Sequence, residues 1–265
     1  MNLVLACILA YVVSQLVVAA WFARRVRSET DYLLAGRSLG PWLGTFSVFA
    51  TWYGAETCIG AAGEAYASGM SGVLADPFGY TLGMVAFGLF FAAGLWRRGL
   101  VTLADLFRPR WGVGVERLAA LIMIPSSVMW AAAQIRAFGQ ILASVSEVGL
   151  LVAITLAALV VILYTAIGGM WADAVTDLVQ GVVLIAGVLV LFGVFIALGG
   201  AERLAAQPTM RLDPTHGRST LDALETLAIP IFSTIAAQEL ASRALSMRGA
   251  RLAARATVGG GAPFL

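Results

Sequence analysis

Long apolar stretches recur along this sequence, each about as long as a helix needs to be to cross the hydrocarbon core of a bilayer, roughly 20 residues for about 30 Å. Hydrophobic residues make up 60% of the chain and charged residues only 12%. That is about half the charged share of a soluble domain, so a water-soluble fold would lack polar surface. The stretches are apolar on all sides and do not alternate, which favours helices over a transmembrane barrel. The predicted fold class is therefore an all-α membrane protein.

The hydrophobic pattern predicts seven membrane helices. They are expected at residues 3–22, 40–66, 72–96, 117–143, 149–167, 173–199 and 223–245. The first helix differs from a signal peptide, because no basic residue precedes its apolar stretch and three arginines follow it. We therefore expect it to be a retained membrane helix.

The arginines predict the orientation, because basic residues near helix ends stay on the cytoplasmic side. With alternate loops assigned to alternate sides, thirteen arginines fall on one side and three on the other, and Arg136 lies inside a helix. The thirteen are Arg24, Arg25, Arg27, Arg37, Arg97, Arg98, Arg108, Arg110, Arg117, Arg243, Arg248, Arg251 and Arg255, and the three are Arg203, Arg211 and Arg218. This predicts a multi-pass protein of the cell (inner or plasma) membrane, with its N-terminus outside and its C-terminal segment cytoplasmic.

The sequence carries no signature of a common catalytic class. It has no glycine-rich phosphate loop with lysine, no pair of histidines and no clustered cysteines, so an enzyme is not expected. Cys7 and Cys58 lie in different predicted helices, which argues against a disulfide or a cysteine-based metal site. A net charge of only +2 gives no indication of nucleic-acid binding.

The second predicted helix contains a segment, Phe49–Gly60, that mixes small, polar and charged residues near its middle. Gly54 and Gly60 are poor helix formers, and where a membrane helix unwinds its carbonyls become available to a cation. Close packing of small residues against another helix explains the same composition without any ion. Glu56 favours the first interpretation, because packing alone does not require a carboxylate at that depth.

Four polar residues open the sixth helix three or four positions apart, which places them on one face: Asp173, Thr176, Asp177 and Gln180. Carboxylates in the first turn are favoured by the helix dipole, so capping is one explanation. The other is a cation relay on the cytoplasmic side through Asp173, Asp177 and Gln180.

Other polar residues at membrane depth also invite an interpretation. Trp130 and Gln134 share a face of the fourth helix, and Arg136 is expected to have a buried carboxylate partner, for which Glu56 is our hypothesis. Glu239 and Arg243, four residues apart, are interpreted as an ordinary pair on a helix surface.

Three segments, in this order, resemble the sodium:solute symporter family: Asp31–Arg37 (DYLLAGR), Ala50–Gly63 (ATWYGAETCIGAAG) and Tyr164–Gln180 (YTAIGGMWADAVTDLVQ). The resemblance implies an inverted-repeat fold of five helices plus five, preceded by one extra helix. It divides the chain into the extra helix at 1–22, the first repeat at 40–199, an extracellular loop at 200–222 and the start of the second repeat at 223–265. On this reading the sequence stops after the second repeat has begun.

The resemblance also implies a site. Sodium, the expected coupling ion, would be bound by the carbonyls of Ala50 and Tyr53 together with hydroxyls from a helix of the second repeat. That helix is not in this sequence, so a missing second half or a partner chain is expected to complete the site. The residues expected to bind a small-molecule solute are Trp52, Glu56, Thr57, Trp130, Gln134 and Gln238.

Within the family, the Ala50–Trp52 and Trp130–Ala133 segments are similar to the choline-transporter branch, and proline symporters are a second comparison. Aromatic faces suit a quaternary ammonium. Ala237 stands where that branch carries an aromatic residue, and Glu56 and Arg136 also depart from it, so amino acids, carboxylates and sugars stay open as solutes. The expected function is sodium-coupled symport of a small polar solute. A membrane solute sensor of the same fold and a non-functional truncated remnant are the alternatives.

Overall fold

The computed structural model describes residues 3–264, with side chains for residues 3–263. Within this range there is no β-strand, and one isolated bridge joins Leu39 to Met247. The predicted all-α class is confirmed. The α-helices are α1 (Leu3–Ala23), α2 (Glu29–Leu34), α3 (Pro41–Trp52), α4 (Ala62–Ser68), α5 (Tyr80–Ala86), α6 (Ala93–Arg97), α7 (Arg108–Val145), α8 (Leu150–Ala197), α9 (Gly200–Ala205), α10 (Thr209–Leu212), α11 (Thr220–Ala236), α12 (Gln238–Leu245) and α13 (Ala250–Gly261). Shorter π-helical turns lie at Glu56–Ala61, Leu74–Gly79 and Phe87–Ala92, and 3-10 turns at Ala35–Arg37, Gly69–Val73, Ala104–Leu106 and Ala262–Phe264.

Among residues 3–264, four helical stretches are long and apolar enough to cross a bilayer: Leu3–Ala23, Glu56–Arg97, Arg108–Val145 and Leu150–Ala197. The pair α11 and α12, bent by 46°, forms a fifth if it is counted as one span. At 48 residues, α8 would be about 70 Å long as a straight helix, more than twice the hydrocarbon thickness. Its geometry is interrupted at Gly169, between the helices predicted at 149–167 and 173–199. The total of seven spans stays a prediction.

The interruption at Gly169 requires glycine. Its φ is +52°, and a Cβ there would lie 2.5 Å from the carbonyl oxygen of Tyr32, closer than carbon and oxygen can approach. The Tyr32 hydroxyl in turn donates to the carbonyl of Thr165 at 3.3 Å. Two of the three segments that carry the family resemblance therefore touch at this kink.

A capping box fixes the start of α2. The Ser28 hydroxyl accepts from the amide of Asp31 at 3.1 Å, and the Asp31 carboxylate accepts from the amide of Ser28 at 3.1 Å. Such reciprocal bonds satisfy amides that a helix N-terminus leaves unpaired. Hydrogen bonding with the Ser28 side chain and the Arg27 amide lowers the pKa of the exposed Asp31 carboxyl.

Three loops meet at one end of the bundle. The Leu39 amide donates to the carbonyl of Ser246, and the Arg248 amide donates to the carbonyl of Leu39, both at 3.1 Å. The indole of Trp96 donates to the carbonyl of Met247 at 2.8 Å. The loops that follow α2, α6 and α12 therefore lie together, as the assignment of their arginines to one side predicts. Which side of the membrane this end faces stays a prediction.

The buried core lies where α3, α12 and α13 pack against residues 84–96. Its largest fully buried hydrophobic side chains are Phe87, Leu34, Leu39, Met84, Leu240, Leu245, Met247 and Val48. Helices α3 and α13 pack closely, because a Cβ at Gly260 would lie 2.6 Å from Cγ1 of Val48. Small residues permit such close packing between membrane helices.

Candidate functional site

Helix α3 breaks after Trp52, inside the segment for which the sequence predicts an unwound helix. Tyr53 has ψ +71°, outside the helical range, and helical structure resumes at Glu56. The amide of Gly54 donates to the carbonyl of Trp52 at 2.8 Å; in a continuous helix it would bond to the carbonyl of Ala50. The break therefore redirects backbone hydrogen bonding where sodium-binding carbonyls are predicted.

A side chain from α7 occupies this break. Oε1 of Gln134 accepts a hydrogen bond from the amide of Ala55 at 3.0 Å. In a continuous helix that amide would bond to the carbonyl of Thr51. A Cβ at Gly54 would lie 2.8 Å from the same Oε1, so glycine makes room for the amide group. Gln134 thus replaces the backbone partner that the break removes.

A second break lies at Ala237, between α11 and α12. The two helices are bent by 46°, and Ala237 has extended backbone geometry, with φ −73° and ψ +123°. Oε1 of Gln238 accepts from the amide of Leu103 at 2.8 Å, which anchors the start of α12. The helix predicted at 223–245 is therefore bent at this point, and its two parts form one span if they are counted together.

A cavity of about 410 Å³ lies beside both breaks. Its wall is formed by Trp52, Glu56, Asp76, Tyr80, Ile122, Met123, Ser126, Ser127, Trp130, Ser233, Thr234, Ala236, Ala237, Gln238 and Glu239. Four predicted solute-binding residues are among them, namely Trp52, Glu56, Trp130 and Gln238. The other two, Thr57 and Gln134, do not line the cavity. Thr57 bonds to Asp76 of the wall, and Gln134 bonds to Ala55 at the break in α3.

The cavity wall is acidic and aromatic. It contains three carboxylates, from Glu56, Asp76 and Glu239, and none of the described lining residues is basic. The Tyr80 hydroxyl donates to Oε1 of Glu56 at 3.1 Å, and the Thr57 hydroxyl donates to Oδ2 of Asp76 at 2.9 Å. These contacts hold two carboxylates in place without neutralising their charge.

Our pairing of Glu56 with Arg136 is wrong. Glu56 is bonded to Tyr80, and in residues 3–264 no ion pair joins the glutamate to Arg136, which is exposed on the surface of α7. A long arginine side chain near the end of a membrane helix can extend toward the interface, which needs no buried partner.

A second polar cluster surrounds Arg243 of α12. Its guanidinium pairs with Asp173, lies 3.5 Å from Oδ2 of Asp177, and donates through Nε to the Thr51 hydroxyl at 3.0 Å. The Ser47 hydroxyl donates to Oδ2 of Asp177 at 2.6 Å. The interpretation of Arg243 and Glu239 as a surface pair is therefore wrong, because Arg243 pairs with Asp173 and Asp177 while Glu239 lines the cavity.

The predicted relay residues are only partly assembled by this cluster. Asp173 and Asp177 both contact Arg243, whereas Gln180 lies one turn further along α8 and is partly buried. Since Asp173 and Asp177 follow the kink at Gly169, they belong to the first turns of the second part of α8, as the sequence predicts. A role in cation passage stays a prediction.

Interrupted membrane helices that meet beside a cavity are typical of one class of membrane protein, the secondary transporters. The chain belongs to the sodium:solute symporter family, whose model matches residues 32–260. The predicted family is thereby confirmed, as is a multi-pass membrane location.

Several relatives are similar to this chain. High-affinity choline transporter 1 of Drosophila melanogaster is 35% identical over 172 residues, covering 62% of this chain and 27% of that protein. The human protein of the same description is 32% identical over 187 residues, covering 66% and 32%. The osmoregulated proline transporter OpuE of Bacillus subtilis is 28% identical over 184 residues, covering 66% and 37%.

One solved structure shows the same fold. It is described as the substrate-bound outward-open state of a Na⁺-coupled sialic acid symporter, and it superposes with a TM-score of 0.80 at 19% identity, covering 97% of this chain and 56% of that one. The chain thus spans about a third of the curated relatives it matches and just over half of this structure.

Proposed function

We propose that this chain forms part of a sodium-coupled symporter for a small organic cation, and that the cavity beside the two helix breaks binds the solute. The observation that carries the proposal is the lining of that cavity. Glu56, Asp76 and Glu239 bring negative charge to it and no described lining residue is basic. Of the three, Asp76 is buried, at 8% exposed, and a buried charge is costly unless an opposite charge joins it.

The aromatic residues of the wall support the same class of solute. Trp52, Trp130 and Tyr80 line the cavity, and aromatic faces attract ammonium groups by about 2 kcal/mol when the contact is desolvated. Choline, the solute in the names of several relatives, is such a cation. An anion such as sialic acid would face three carboxylates in this cavity. The similarity in fold to the sialic acid symporter therefore does not imply the same solute.

The break in α3 supports the proposed place for sodium. The amides of Gly54 and Ala55 do not donate to the carbonyls of Ala50 and Thr51, as they would in a continuous helix. Carbonyls of such a broken helix can bind a cation, and we propose those of Ala50 and Tyr53 as the sodium ligands. The hydroxyl ligands expected from the second repeat lie outside this chain. The relay through Asp173, Asp177 and Gln180 stays part of the proposal, and passage of an ion there would require Arg243 to move away from the two aspartates.

Uptake into proteoliposomes containing the full-length protein tests the proposal. With radiolabelled choline or ethanolamine as probe, we expect accumulation when an inward sodium gradient is imposed and none when potassium replaces sodium. Excess proline or sialic acid should not compete. Competition by either of these, with none by organic cations, would overturn the cation class.

A pair of tryptophan variants provides the control. Trp52→Leu removes an aromatic face from the cavity and should weaken uptake affinity about tenfold, as expected for the loss of a desolvated cation–π contact. Trp42→Leu changes a side chain that is 74% exposed at the start of the same helix and should leave the affinity unchanged. Equal effects of the two variants would argue against the cavity as the solute site.

A further inference from the structure

One carboxylate oxygen in the cavity wall has no partner. Asp76 is 8% exposed, and its Oδ1 is buried without a hydrogen bond from any residue in the described range 3–264. Its other oxygen, Oδ2, accepts from Thr57. The backbone of Asp76 leaves helical geometry, with φ −126° and ψ +114°, so the carboxylate is set into the wall by an irregular turn and not by a regular helix face.

A second unpartnered group lines the same cavity. Thr234 of α11 is fully buried, and within residues 3–264 its hydroxyl makes no hydrogen bond. A threonine at this position could bond to its own helix, but this one does not. Two residues of the cavity wall therefore each have a buried side-chain oxygen without a hydrogen-bond partner among the described residues.

Buried acceptors without a donor are costly, and the cost is greater for a charged group than for a neutral one. Native structures therefore satisfy nearly all of them. A quaternary ammonium cannot do so, because all four nitrogen substituents are carbon and it offers no N–H. A protonated amine offers N–H donors with the positive charge that Asp76 requires.

We infer that the solute of this cavity is a protonated primary or secondary amine, whose N–H groups donate to Oδ1 of Asp76 and to the Thr234 hydroxyl, and not a quaternary ammonium. The inference rests on the proposed function and narrows its solute class. It predicts a solute that differs from choline, the solute in the names of several relatives. On this inference Trp52 and Trp130 bind the positive charge of the solute, and Asp76 favours solutes whose nitrogen carries N–H donors.

Three probes in which N–H groups are replaced stepwise by N-methyl groups test the inference. Ethanolamine has three such donors, N,N-dimethylethanolamine has one and choline has none, while all three carry one positive charge and one hydroxyl. Binding to the purified full-length protein is measured by titration calorimetry at fixed sodium concentration. We expect affinity to fall along the series, by tenfold or more from ethanolamine to choline, as the loss of a charge-assisted hydrogen bond requires. Equal or tighter binding of choline overturns the inference.

Asp76→Asn keeps the shape of the side chain and removes its charge. It should weaken ethanolamine binding tenfold or more, change choline binding less, and so reduce the ratio between the two. If it weakens all three probes equally, or only raises the sodium concentration required, the carboxylate serves charge balance or the ion and the inference is wrong.

Two threonine variants guard against a folding defect. Thr234→Val removes one hydroxyl at nearly constant shape and should reduce the ethanolamine-to-choline ratio severalfold, so it carries the test if Asp76→Asn does not elute as a folded species. Thr81→Val removes another buried, unpartnered hydroxyl, which does not line the cavity, and should leave the ratio unchanged. An equal effect of the two threonine variants contradicts the inference.

The same measurements distinguish a failure of the proposed function from a failure of the inference about the solute. If none of the three probes binds and none is taken up with sodium, the proposed function fails and the inference fails with it. If all three bind with sodium dependence but without preference for N–H donors, the organic-cation symporter stands and only the inference is overturned.

Discussion

Oε1 of Gln134 lies 3.0 Å from the backbone nitrogen of Ala55 and accepts its hydrogen bond. One side chain on α7 thereby stabilises the break after α3, since the amide would otherwise have no partner at the start of the second helical part. The sequence singled out both sites but predicted a different role for Gln134, as a solute ligand. The break and α7 are therefore mechanically linked through a single hydrogen bond.

Gln134→Leu should destabilise the protein, because the Ala55 amide loses its acceptor at a partly buried position. The expected cost is about 1–2 kcal/mol of unfolding free energy, seen as a lower thermal midpoint of the purified protein, together with weaker sodium-dependent uptake. Gln134→Glu keeps an acceptor and should be milder. Gln140→Leu, on an exposed face of the same helix, is the control. A Gln134→Leu protein as stable and active as the parent would show that the bond does not support the break.

Gly54→Ala should lower the thermal midpoint of the protein, because the added methyl group clashes with the Gln134 side chain. The added Cβ would lie 2.8 Å from Oε1 of Gln134, so the amide must move and its bond to Ala55 is lost. In the background of Gln134→Ala the clash is absent, and the same glycine substitution should cost less. A double-mutant cycle of thermal midpoints measures this coupling. Strict additivity would mean that the glycine is needed for its backbone alone.

The capping box of α2 should weaken in acid. The folded-state pKa of Asp31 is lowered by hydrogen bonding with the Ser28 side chain and the Arg27 amide. A carboxyl with a depressed folded pKa contributes stability that is present above its unfolded pKa and is lost as pH falls through the folded pKa. The difference in thermal midpoint between the parent and Asp31→Asn should therefore be positive near neutral pH and shrink as the pH falls through the lowered folded-state pKa of Asp31.

Glu29→Gln is the control for this pH effect, since the Glu29 side chain takes no part in the capping box. A difference between the parent and Asp31→Asn that persists unchanged at acid pH would mean that the aspartate acts by shape and not by charge.

The sequence predicted the broken helix well and the site only in part. Gly54, Gly60 and Glu56 within an apolar stretch are visible as a local pattern, and the break occurs at 53–55. Trp52 and Trp130 meet at one cavity as expected. Asp76 was missed although its signal was present, since a carboxylate inside the predicted helix 72–96 is expensive and needs a function or a partner.

The wrong prediction for Glu239 and Arg243 could not have been avoided from the spacing of the two residues along the sequence. Glu239 and Arg243 are four residues apart, which on a regular helix favours a mutual contact. In the structure Arg243 instead pairs with two aspartates of α8, and Glu239 lines the cavity. Arg243 reaches Asp173 across 70 positions of sequence, and such pairing is set by tertiary packing, which a single sequence does not reveal.

Arg243→Ala should be the most destabilising of these substitutions. It would leave Asp173 and Asp177, whose side chains are 22% and 10% exposed, without the guanidinium that neutralises them. Removing one partner of a buried ion pair typically costs about 3–5 kcal/mol. Arg243→Lys should recover only part of the loss, because an ammonium cannot reach Thr51 and both carboxylates with the geometry of a guanidinium. Arg251→Ala, on the exposed face of α13, should have little effect.

A compensating substitution distinguishes charge from packing at this cluster. Because the cost of Arg243→Ala comes from two uncompensated carboxylates, adding Asp173→Asn should restore part of the thermal midpoint, although Asp173→Asn alone lowers it. If the double variant is less stable than Arg243→Ala alone, Asp173 supports the structure independently of the arginine. Uptake measured in parallel reports on the relay, since a variant that recovers stability but not sodium-dependent transport would assign Asp173 a role in moving the ion.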